Sequence, residues 1–234
     1  MVRKDTAKRK QSEHDEMDVF QRTMATMVEF ISRNRRYFIV AGTAVLVVVI
    51  VIAGYFWHRV NNERAAGALY AEAFSVSSAA AESGNNADID NARGLYEELA
   101  EEYPETASGV LARNHLGNIY YKTGETDKAI ASYQEFLDSV SNAHPLRPLV
   151  YNSLGYCYEE EGDTVEAIDA FLTAAELFSG GELEQYCLRD AARLYEERGD
   201  TEKARMYYEK ILDTTEEPLL QKIIKRKIAM LENK

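Results

Sequence analysis

The sequence predicts an all-α protein in which helical hairpins stack side by side as a solenoid, preceded by one transmembrane helix. Two observations support this fold class. A pattern of small and aromatic residues begins at Leu116, Leu154 and Ala191, so its three copies lie 38 and 37 residues apart. A run of 21 residues without a charge, Tyr37–Trp57, precedes them. A fixed period of this length is the signature of stacked repeats.

Each copy of the pattern predicts two helices that pack against each other. In the second copy a small residue, Gly155, is followed three positions later by Tyr158. Ala167 and Phe171 come twelve and sixteen positions after the same glycine. Residues three or four apart share one face of a helix, so the two pairs mark two facing helix surfaces. We expect the small residue to let the second helix approach closely, with the aromatic rings filling the space around it.

A turn between these two helices is predicted by a glycine and the polar pair that follows it. Glycine tolerates the left-handed backbone that ends many helices, and acidic or hydroxyl side chains cap the next one. The glycines and their pairs are Gly124 with Glu125-Thr126, Gly162 with Asp163-Thr164, and Gly199 with Asp200-Thr201.

The second copy resembles a tetratricopeptide repeat (TPR), whose characteristic slots hold a large residue, Leu, Gly, Tyr, Ala, Phe, Ala and Pro. Seven of the eight slots are matched, by Tyr151, Leu154, Gly155, Tyr158, Ala167, Phe171 and Ala174. The resemblance implies a TPR α-solenoid that binds protein partners. The family unit has about 34 residues, so each copy here is expected to carry a few extra residues in its outer loop.

A degenerate fourth unit is predicted one period before the three clear copies. The alanine, aromatic and proline slots of that unit are filled by Ala92, Tyr96 and Pro104. Its first helix is expected around Asn62–Ala81, with a loop at Ser83–Asp90. The predicted solenoid therefore has about four units and spans residues 58–217.

A capping helix is predicted for residues 218–234. Pro218 suits the first turn of a helix, and solenoids need a terminal helix with one polar face. Apolar residues follow at helical spacing: Leu220, Ile223, Ile224, Ile228 and Leu231. Between them lies a basic cluster of Lys222, Lys225, Arg226 and Lys227. A solvated face is favoured for this cluster over a patch that binds a partner.

Residues 37–57 predict a transmembrane signal anchor. At about 1.5 Å per residue, a helix of this length spans about 30 Å, which is the hydrocarbon thickness of a bilayer. Aromatic residues at both ends match interfacial anchors. A cleaved signal peptide is disfavoured by the long leader and by bulky residues where a cleavage site should lie.

The charges that flank the anchor predict its orientation. Arg33, Arg35 and Arg36 precede it, whereas Arg59 on the other side is balanced by Glu63. The positive-inside rule then places the N-terminus in the cytoplasm and the repeats across the membrane. In a bacterium, this corresponds to a single-pass inner-membrane protein with a periplasmic C-terminal domain.

Residues 1–36 form a predicted cytoplasmic leader that contains an amphipathic helix. Its apolar stripe consists of Met17, Phe20, Met24, Met27, Val28 and Ile31. This helix is expected to lie on the membrane surface, and binding of a cytosolic partner helix is the alternative.

The net charge limits the class of partner. The leader carries nine basic and six acidic residues of the 27 and 39 in the whole chain, which leaves 18 basic and 33 acidic residues beyond it. Nucleic acids and anionic lipids bind basic surfaces, so neither is the expected main partner of the exported part.

The two cysteines, Cys157 and Cys187, fall in the first helices of successive repeats. An oxidising compartment would permit a disulfide between them. In the repeat frame they are seven residues out of register, which is roughly 10 Å along a helix axis. A disulfide tolerates at most about 7 Å between Cα atoms. Two buried thiols are therefore favoured, and a disulfide stays open as the alternative.

No residue pattern predicts an enzyme. The sequence has no nucleophile constellation, no pair of histidines at metal-ligand spacing and no glycine-rich phosphate loop. We expect neither a cofactor nor a metal, and no small-molecule substrate. His115 is expected to serve packing or to lie on the surface.

The TPR resemblance implies a partner-binding concave groove, lined by the first helix of each unit. The slots that face a bound peptide in that family hold Asn114, Asn118, Tyr121, Lys122, Asn152, Tyr156, Tyr186, Arg189 and Arg193. Amides can bind a peptide backbone, tyrosines offer rigid contact area and arginines prefer carboxylates.

The overall architecture resembles the single-span ancillary subunits of the bacterial Sec translocon, which combine a cytoplasmic leader, one anchor and a periplasmic TPR domain. This resemblance implies an adaptor that acts at the protein-translocation or periplasmic chaperone step. Its partners would be translocon subunits, chaperones or emerging polypeptides. A self-assembling envelope scaffold is the second hypothesis. A third, an organelle import receptor, is disfavoured by the arginine asymmetry.

Overall fold

The computed structural model describes residues 21–178 and 180–232 and is helical throughout, with no strand in those ranges. Contacts divide the chain into two compact units, Met1–Val60 and Asn61–Lys234. The helices are α1 (residues 21–33), α2 (Arg35–Ser83), α3 (Asn86–Glu102), α4 (Ala107–Thr123), α5 (Thr126–Ser139), α6 (Arg147–Glu161), α7 (Thr164–Leu177), α8 (Glu182–Glu197), α9 (Thr201–Thr214) and α10 (Pro218–Leu231).

The first unit contains α1 and the beginning of α2. The apolar stretch of α2 is long and apolar enough to cross a membrane, and none of this stretch is buried inside the protein. Asn34 separates α1 from α2, and its side-chain amide donates a hydrogen bond of 3.0 Å to the Phe30 carbonyl. Part of the predicted leader stripe lies exposed on α1, as Met24, Met27, Val28 and Ile31. Met17 and Phe20 of that stripe lie outside the described residues.

The second unit is built from helical hairpins and confirms the predicted all-α solenoid. In the last part of α2, Tyr70 contacts Tyr96 of α3 with 6.2 Å between ring centroids. Three further hairpins follow: α4 with α5, α6 with α7, and α8 with α9. The end of α2 packs through alanines at seven-residue steps, Ala66, Ala73 and Ala80, all of them buried. Because their side chains are small, this helix can approach its neighbours closely.

The predicted loop at Ser83–Asp90 is wrong. α2 continues to Ser83 and α3 already begins at Asn86. Asn85 caps α3, since its side-chain oxygen accepts a hydrogen bond of 3.0 Å from the Ala87 amide. Gly84 turns the chain with a φ of 64°. A two-residue connection is therefore enough where the residue types suggested a long loop.

His115 serves packing, as expected. Its ring stacks on that of buried Tyr96 with 4.7 Å between centroids and 7° between planes. Its Nε2 lies 2.9 Å from the Tyr70 hydroxyl, in a hydrogen bond between α4 and α2. Burial lowers the pKa of His115, which favours the neutral form of the ring. These contacts join the degenerate first hairpin to the second one.

The close approach predicted within each hairpin is confirmed. A Cβ atom on Gly117 would lie 2.5 Å from the ring of Tyr133, and one on Gly155 would lie 2.5 Å from the ring of Phe171. Both rings are buried, with 1% or less of their surface exposed. The glycine thus makes room for the aromatic ring of the second helix.

The predicted turns also form, although the caps differ from expectation. Gly124 and Gly162 end α4 and α6 in the left-handed conformation, with φ of 77° and 82°. Asp200 caps α9, as predicted, by accepting a hydrogen bond of 3.2 Å from the Lys203 amide. Glu125 makes no such cap, because its carboxylate instead pairs with Arg93 and Lys128. Asp163 makes no side-chain cap either.

The predicted capping helix is present as α10, with Pro218 in its first turn. Leu220, Ile224 and Leu231 are buried against the last hairpin. Ile223, expected on the same apolar face, is instead 46% exposed.

Candidate protein-binding face on α4, α6 and α8

The predicted groove residues lie on the first helices of the three clear hairpins. Three are exposed: Asn118, Lys122 and Tyr186. Six are partly buried: Asn114, Tyr121, Asn152, Tyr156, Arg189 and Arg193. The name "first-helix face" is used below for these nine residues on α4, α6 and α8.

Polar side chains of α6 make direct contacts with α8. The Tyr156 hydroxyl donates a hydrogen bond of 2.7 Å to Oδ2 of Asp190, and the Cys187 thiol donates one of 3.3 Å to Oδ1 of Asn152. The Tyr156 ring also meets Phe171 edge to face, with 5.0 Å between centroids. Burial, followed by the carboxylate of Asp190, raises the pKa of Tyr156. Two predicted residues of α6 are thus held against α8.

Both arginines of α8 already have carboxylate partners within the chain. Arg193 forms a bidentate pair with Glu159, with two nitrogen–oxygen distances of 2.7 Å, and a further bond of 3.1 Å to Glu197. The hydrogen bonds to Glu159 raise the pKa of Arg193. Arg189 bonds to Oδ1 of Asp190 at 3.1 Å and lies over the Tyr186 ring. An incoming carboxylate would therefore compete with these internal pairs.

The α4 residues are organised differently. The Tyr133 hydroxyl donates a hydrogen bond of 2.8 Å to Oδ1 of Asn118. Burial raises the pKa of Tyr121, and the carboxylate of Glu160 beside its hydroxyl raises it further. Lys122 is exposed and forms no ion pair within the described residues. Asn114 is half-buried, and within the described residues no hydrogen bond joins its side chain to the other residues of the first-helix face.

Sequence reasoning missed the acidic residues that complete this face, above all Glu159 and Asp190. The bonded pairs Tyr156–Asp190 and Glu159–Arg193 are each 34 residues apart, whereas the pattern shifts by 37 residues between these copies. Neighbouring first helices therefore meet almost one turn out of register. A search for hydrogen-bond donors and carboxylates that recur at a constant separation of 34 residues would have revealed this offset.

The cysteines are two free, buried thiols, so the favoured prediction is confirmed. Burial raises the pKa of Cys157 and of Cys187 to about 12. Such thiols are poor nucleophiles at neutral pH, because the thiolate is the reactive form. Among the described residues, no three His, Cys, Asp or Glu side chains are placed to hold a metal ion.

Comparison with protein families decides what these hairpins are. A tetratricopeptide repeat model matches residues 106–180 and 146–217, and a second tetratricopeptide repeat model matches residues 77–106. The chain belongs to the tetratricopeptide repeat family. No curated protein sequence matches it significantly.

Solved TPR structures share the fold at low sequence identity. The crystal structure of the MamA protein superposes with a TM-score of 0.52 at 22% identity, over 63% of this chain and 74% of MamA. A Podosopora anserina putative kinesin light chain with TPR-like repeats gives 0.56 at 16%, over 70% and 87% of the two chains. A TPR protein from Parabacteroides merdae gives 0.57 at 19%, over 70% of this chain and 60% of that one. These likenesses establish the fold alone.

Proposed function

We propose that this TPR protein is a membrane-anchored adaptor that binds an extended polypeptide on its first-helix face. The family mediates protein–protein contacts, which is the coarse function that the fold supports. The finer proposal concerns the groups that this face offers to a partner and the place in the cell where it offers them.

The proposal rests on the orientation of two side-chain amides. The Oδ1 atoms of Asn118 and Asn152 are occupied by the Tyr133 hydroxyl and the Cys187 thiol, which are both donors in these bonds. Each Nδ2 is therefore the free end of its amide and has no acceptor among the described residues. Amide donors fixed in this way can bind the carbonyl oxygens of an extended backbone regardless of its sequence.

The remaining groups of the face complement such a backbone. Tyr186 and Tyr121 supply rigid aromatic surface at low entropic cost. Lys122 supplies a cation with no internal partner in the described part of the chain, whereas Arg189 and Arg193 are paired. The face is therefore suited to a largely neutral segment with one acidic group near Lys122, rather than to a strongly anionic peptide.

The location follows from the apolar stretch of α2 and the charges around it. Arginines crowd its N-terminal side, so we place the N-terminus in the bacterial cytoplasm and the TPR domain in the periplasm. A tether raises the effective concentration of a weak binder at the membrane surface. The proposed role is to hold an emerging polypeptide, a translocon subunit or a periplasmic chaperone at the protein-translocation step.

The binding face is tested by photo-crosslinking in intact membranes. A photoreactive amino acid at position 122 should capture a translocon subunit, a chaperone or an exported chain. One at position 206 on α9, where Met206 is also exposed to solvent, is the matched control. Asn118→Ala combined with Asn152→Ala should lower the yield at position 122 more than about fivefold. Equal yields at both positions, or capture of its own copies alone at position 122, would contradict the adaptor.

The orientation is tested separately by labelling with a membrane-impermeant thiol reagent. Glu98→Cys, on the exposed surface of α3, should react from the periplasmic side, and Gln11→Cys in the leader should not. The native cysteines are buried and provide a low background. Labelling of position 11 alone would reverse the proposed topology.

A further inference from the structure

The outer face of α10 is unusual for the end of a solenoid. Terminal helices normally present a polar outer face, which keeps the array soluble. Here three apolar side chains next to the buried face are exposed, Leu219, Ile223 and Met230, at 62%, 46% and 51%. They lie four and seven residues apart, so they form one stripe along the helix. The name "α10 face" is used below for these residues with Lys222 and Arg226.

The charge of α10 is opposite to that of the remaining exported chain. Residues 218–231 contain four basic residues and no acidic one, whereas residues 37–217 contain 13 basic and 32 acidic residues. Lys227 pairs with Glu196 at 2.9 Å. Lys222, Lys225 and Arg226 are exposed and form no ion pair within the described residues. The α10 face therefore fits an apolar surface with an acidic rim.

A cleft with an acidic rim lies between α5, α6 and α7 of the same domain. It has a volume of about 390 Å³, and Tyr151, Leu154 and Tyr158 contribute to its lining. Three exposed carboxylates line it as well, from Asp138, Glu166 and Asp169. None of the three has a cationic partner among the described residues. The name "α5–α7 cleft" is used below for this site.

The cation that also lines the cleft does not neutralise those carboxylates. Arg147 donates hydrogen bonds to the Leu137 carbonyl at 2.9 Å and to the Tyr151 hydroxyl at 3.1 Å. Its guanidinium also lies over the Tyr151 ring, 5.5 Å from the centroid. The acidic residues that adjoin the first-helix face are different, because Glu159, Asp190 and Glu197 are each paired with an arginine. The α5–α7 cleft is therefore the better acceptor for a basic surface.

We propose that the α10 face of one copy docks in the α5–α7 cleft of a second copy. Leu219, Ile223 and Met230 would cover the apolar lining, with Lys222 and Arg226 against the acidic rim. A symmetric contact of two α10 faces is disfavoured, since it would set cations against cations. The contact is heterologous, so a dimer still has one free α10 face and one free cleft, and further copies can add in rows. This inference is independent of the proposed function, because it uses other residues.

Complementation between two charge-reversed variants tests the contact. Variant one carries Lys222→Glu and Arg226→Glu, and variant two carries Asp138→Lys, Glu166→Lys and Asp169→Lys. The full chain in detergent is followed by sedimentation velocity at low and high salt. The wild type should form concentration-dependent oligomers that weaken with salt. Each variant alone should associate more than about tenfold more weakly.

An equimolar mixture of the two variants is the decisive sample. Variant two keeps the wild-type α10 face and variant one keeps the wild-type cleft. The two reversed surfaces also carry opposite charges, so the mixture should recover association as mixed oligomers in which the two variants alternate. A matched control for variant two reverses three exposed acidic residues elsewhere, Glu98→Lys, Glu101→Lys and Glu102→Lys, and shifts the net charge by the same amount as variant two. The control should associate like the wild type, apart from general charge effects.

Several outcomes would overturn the proposal. These are a wild type that stays monomeric at all concentrations, oligomers that survive in both variants, or a mixture that stays monomeric. The α10 face could instead bind anionic lipid. Reconstitution of the full chain in phosphatidylglycerol or phosphatidylcholine vesicles tests this with a cysteine at position 219. Protection of that cysteine that requires phosphatidylglycerol and is lost in variant one, with a monomeric wild type, would assign the face to the membrane surface.

Discussion

At the scale of single residues, the closest contacts of the fold depend on two glycines. Gly117 and Gly155 lie under the rings of Tyr133 and Phe171, where a Cβ atom would come within 2.5 Å of a ring carbon. These rings are buried on all sides and cannot move freely, so an added methyl group must push helices apart. The third hairpin has Ala192 at this position. The requirement is therefore for a small residue whose size matches the local separation of the helices.

Gly155→Ala should destabilise the domain by about 1 to 3 kcal/mol, because it overpacks the hairpin core. Gly94→Ala is its control. Gly94 lies within α3 with no heavy atom within 4 Å of an added Cβ, so alanine there should stabilise by about 0.5 to 1 kcal/mol. Urea unfolding of both variants gives the two free energies. The same sign for both changes would contradict the packing argument.

Asp190 is a second residue whose hydrogen-bond partners are expected to affect the stability of the domain. Its side chain is only 7% exposed, and it is held by the Tyr156 hydroxyl on α6 and by Arg189 on α8. A buried carboxylate that loses a donor keeps most of its desolvation penalty. The hydrogen bond from Tyr156 is thus expected to fasten neighbouring hairpins.

Tyr156→Phe should lower the free energy of unfolding by about 1 to 2 kcal/mol. Tyr195→Phe serves as the control, since the Tyr195 hydroxyl makes no hydrogen bond among the described residues. That control should change stability by less than about 0.5 kcal/mol. Equal losses of unfolding free energy from the two substitutions would show that the hydrogen bond to Asp190 does not cause the effect.

At the scale of elements, α8 is held at its start by a side chain from its own first turn. Its cap residue, Gly181, makes no side-chain cap. Instead the Glu184 carboxylate accepts a hydrogen bond of 2.7 Å from the Gly180 amide and pairs with Lys210 of α9 at 3.2 Å. The bond from the Gly180 amide, followed by Lys210, lowers the pKa of Glu184. One carboxylate thus joins the turn, α8 and α9.

This arrangement predicts a pH-dependent contribution to stability. Because the folded pKa of Glu184 lies below its ordinary value of 4.5, its contribution is fully present above that pH. It is lost as the pH falls through the folded pKa. Glu184→Gln should therefore cost about 1 to 2 kcal/mol at pH 7, and the difference from the wild type should shrink below about pH 4.5.

Thermal or urea unfolding between pH 3 and pH 7 measures that difference. Glu98→Gln is the control, because Glu98 is an exposed residue of α3 and should show no comparable trend. A difference between wild type and Glu184→Gln that stays constant down to pH 3 would refute the assigned cause.

At the scale of the whole molecule, one helix combines a long apolar stretch with a part that packs into the repeats. The apolar part of α2 suits a bilayer, whereas its last part supplies Ala66, Ala73 and Tyr70 to the core of the repeats. In a solenoid each repeat is stabilised by its neighbours. The end of α2 is therefore expected to shield the first hairpin as well as to connect it to the proposed anchor.

Truncation tests this role of α2. A fragment of residues 61–234 should be soluble without detergent and unfold cooperatively by circular dichroism. A fragment of residues 84–234 should melt at a clearly lower temperature, because Tyr96 and His115 lose the contacts of Tyr70. Equal melting temperatures would mean that α2 adds nothing to the repeat domain.

The sequence alone determined the repeat class, because the packing within each hairpin depends on residue types at neighbouring positions in the chain. A small residue under a ring, a glycine in the left-handed conformation and helical spacing are all properties of neighbouring positions, as Gly155, Phe171 and Gly162 illustrate. The apolar run Tyr37–Trp57 is recognisable for the same reason. The loop expected at Ser83–Asp90 failed, since the length of a connection depends on which cap, here Asn85, terminates it.

Only the tertiary structure decided how the first-helix face is used. The pairing of Arg193 with Glu159, and of Tyr156 with Asp190, depends on an offset of almost one turn between neighbouring helices. That offset is set by how whole hairpins pack, and no local pattern encodes it. The same holds for the α5–α7 cleft and for exposed Ile223 on α10. Residue types therefore predicted a TPR protein. The packing of its helices determined which charged side chains form ion pairs within the chain and which ones stay exposed to a partner.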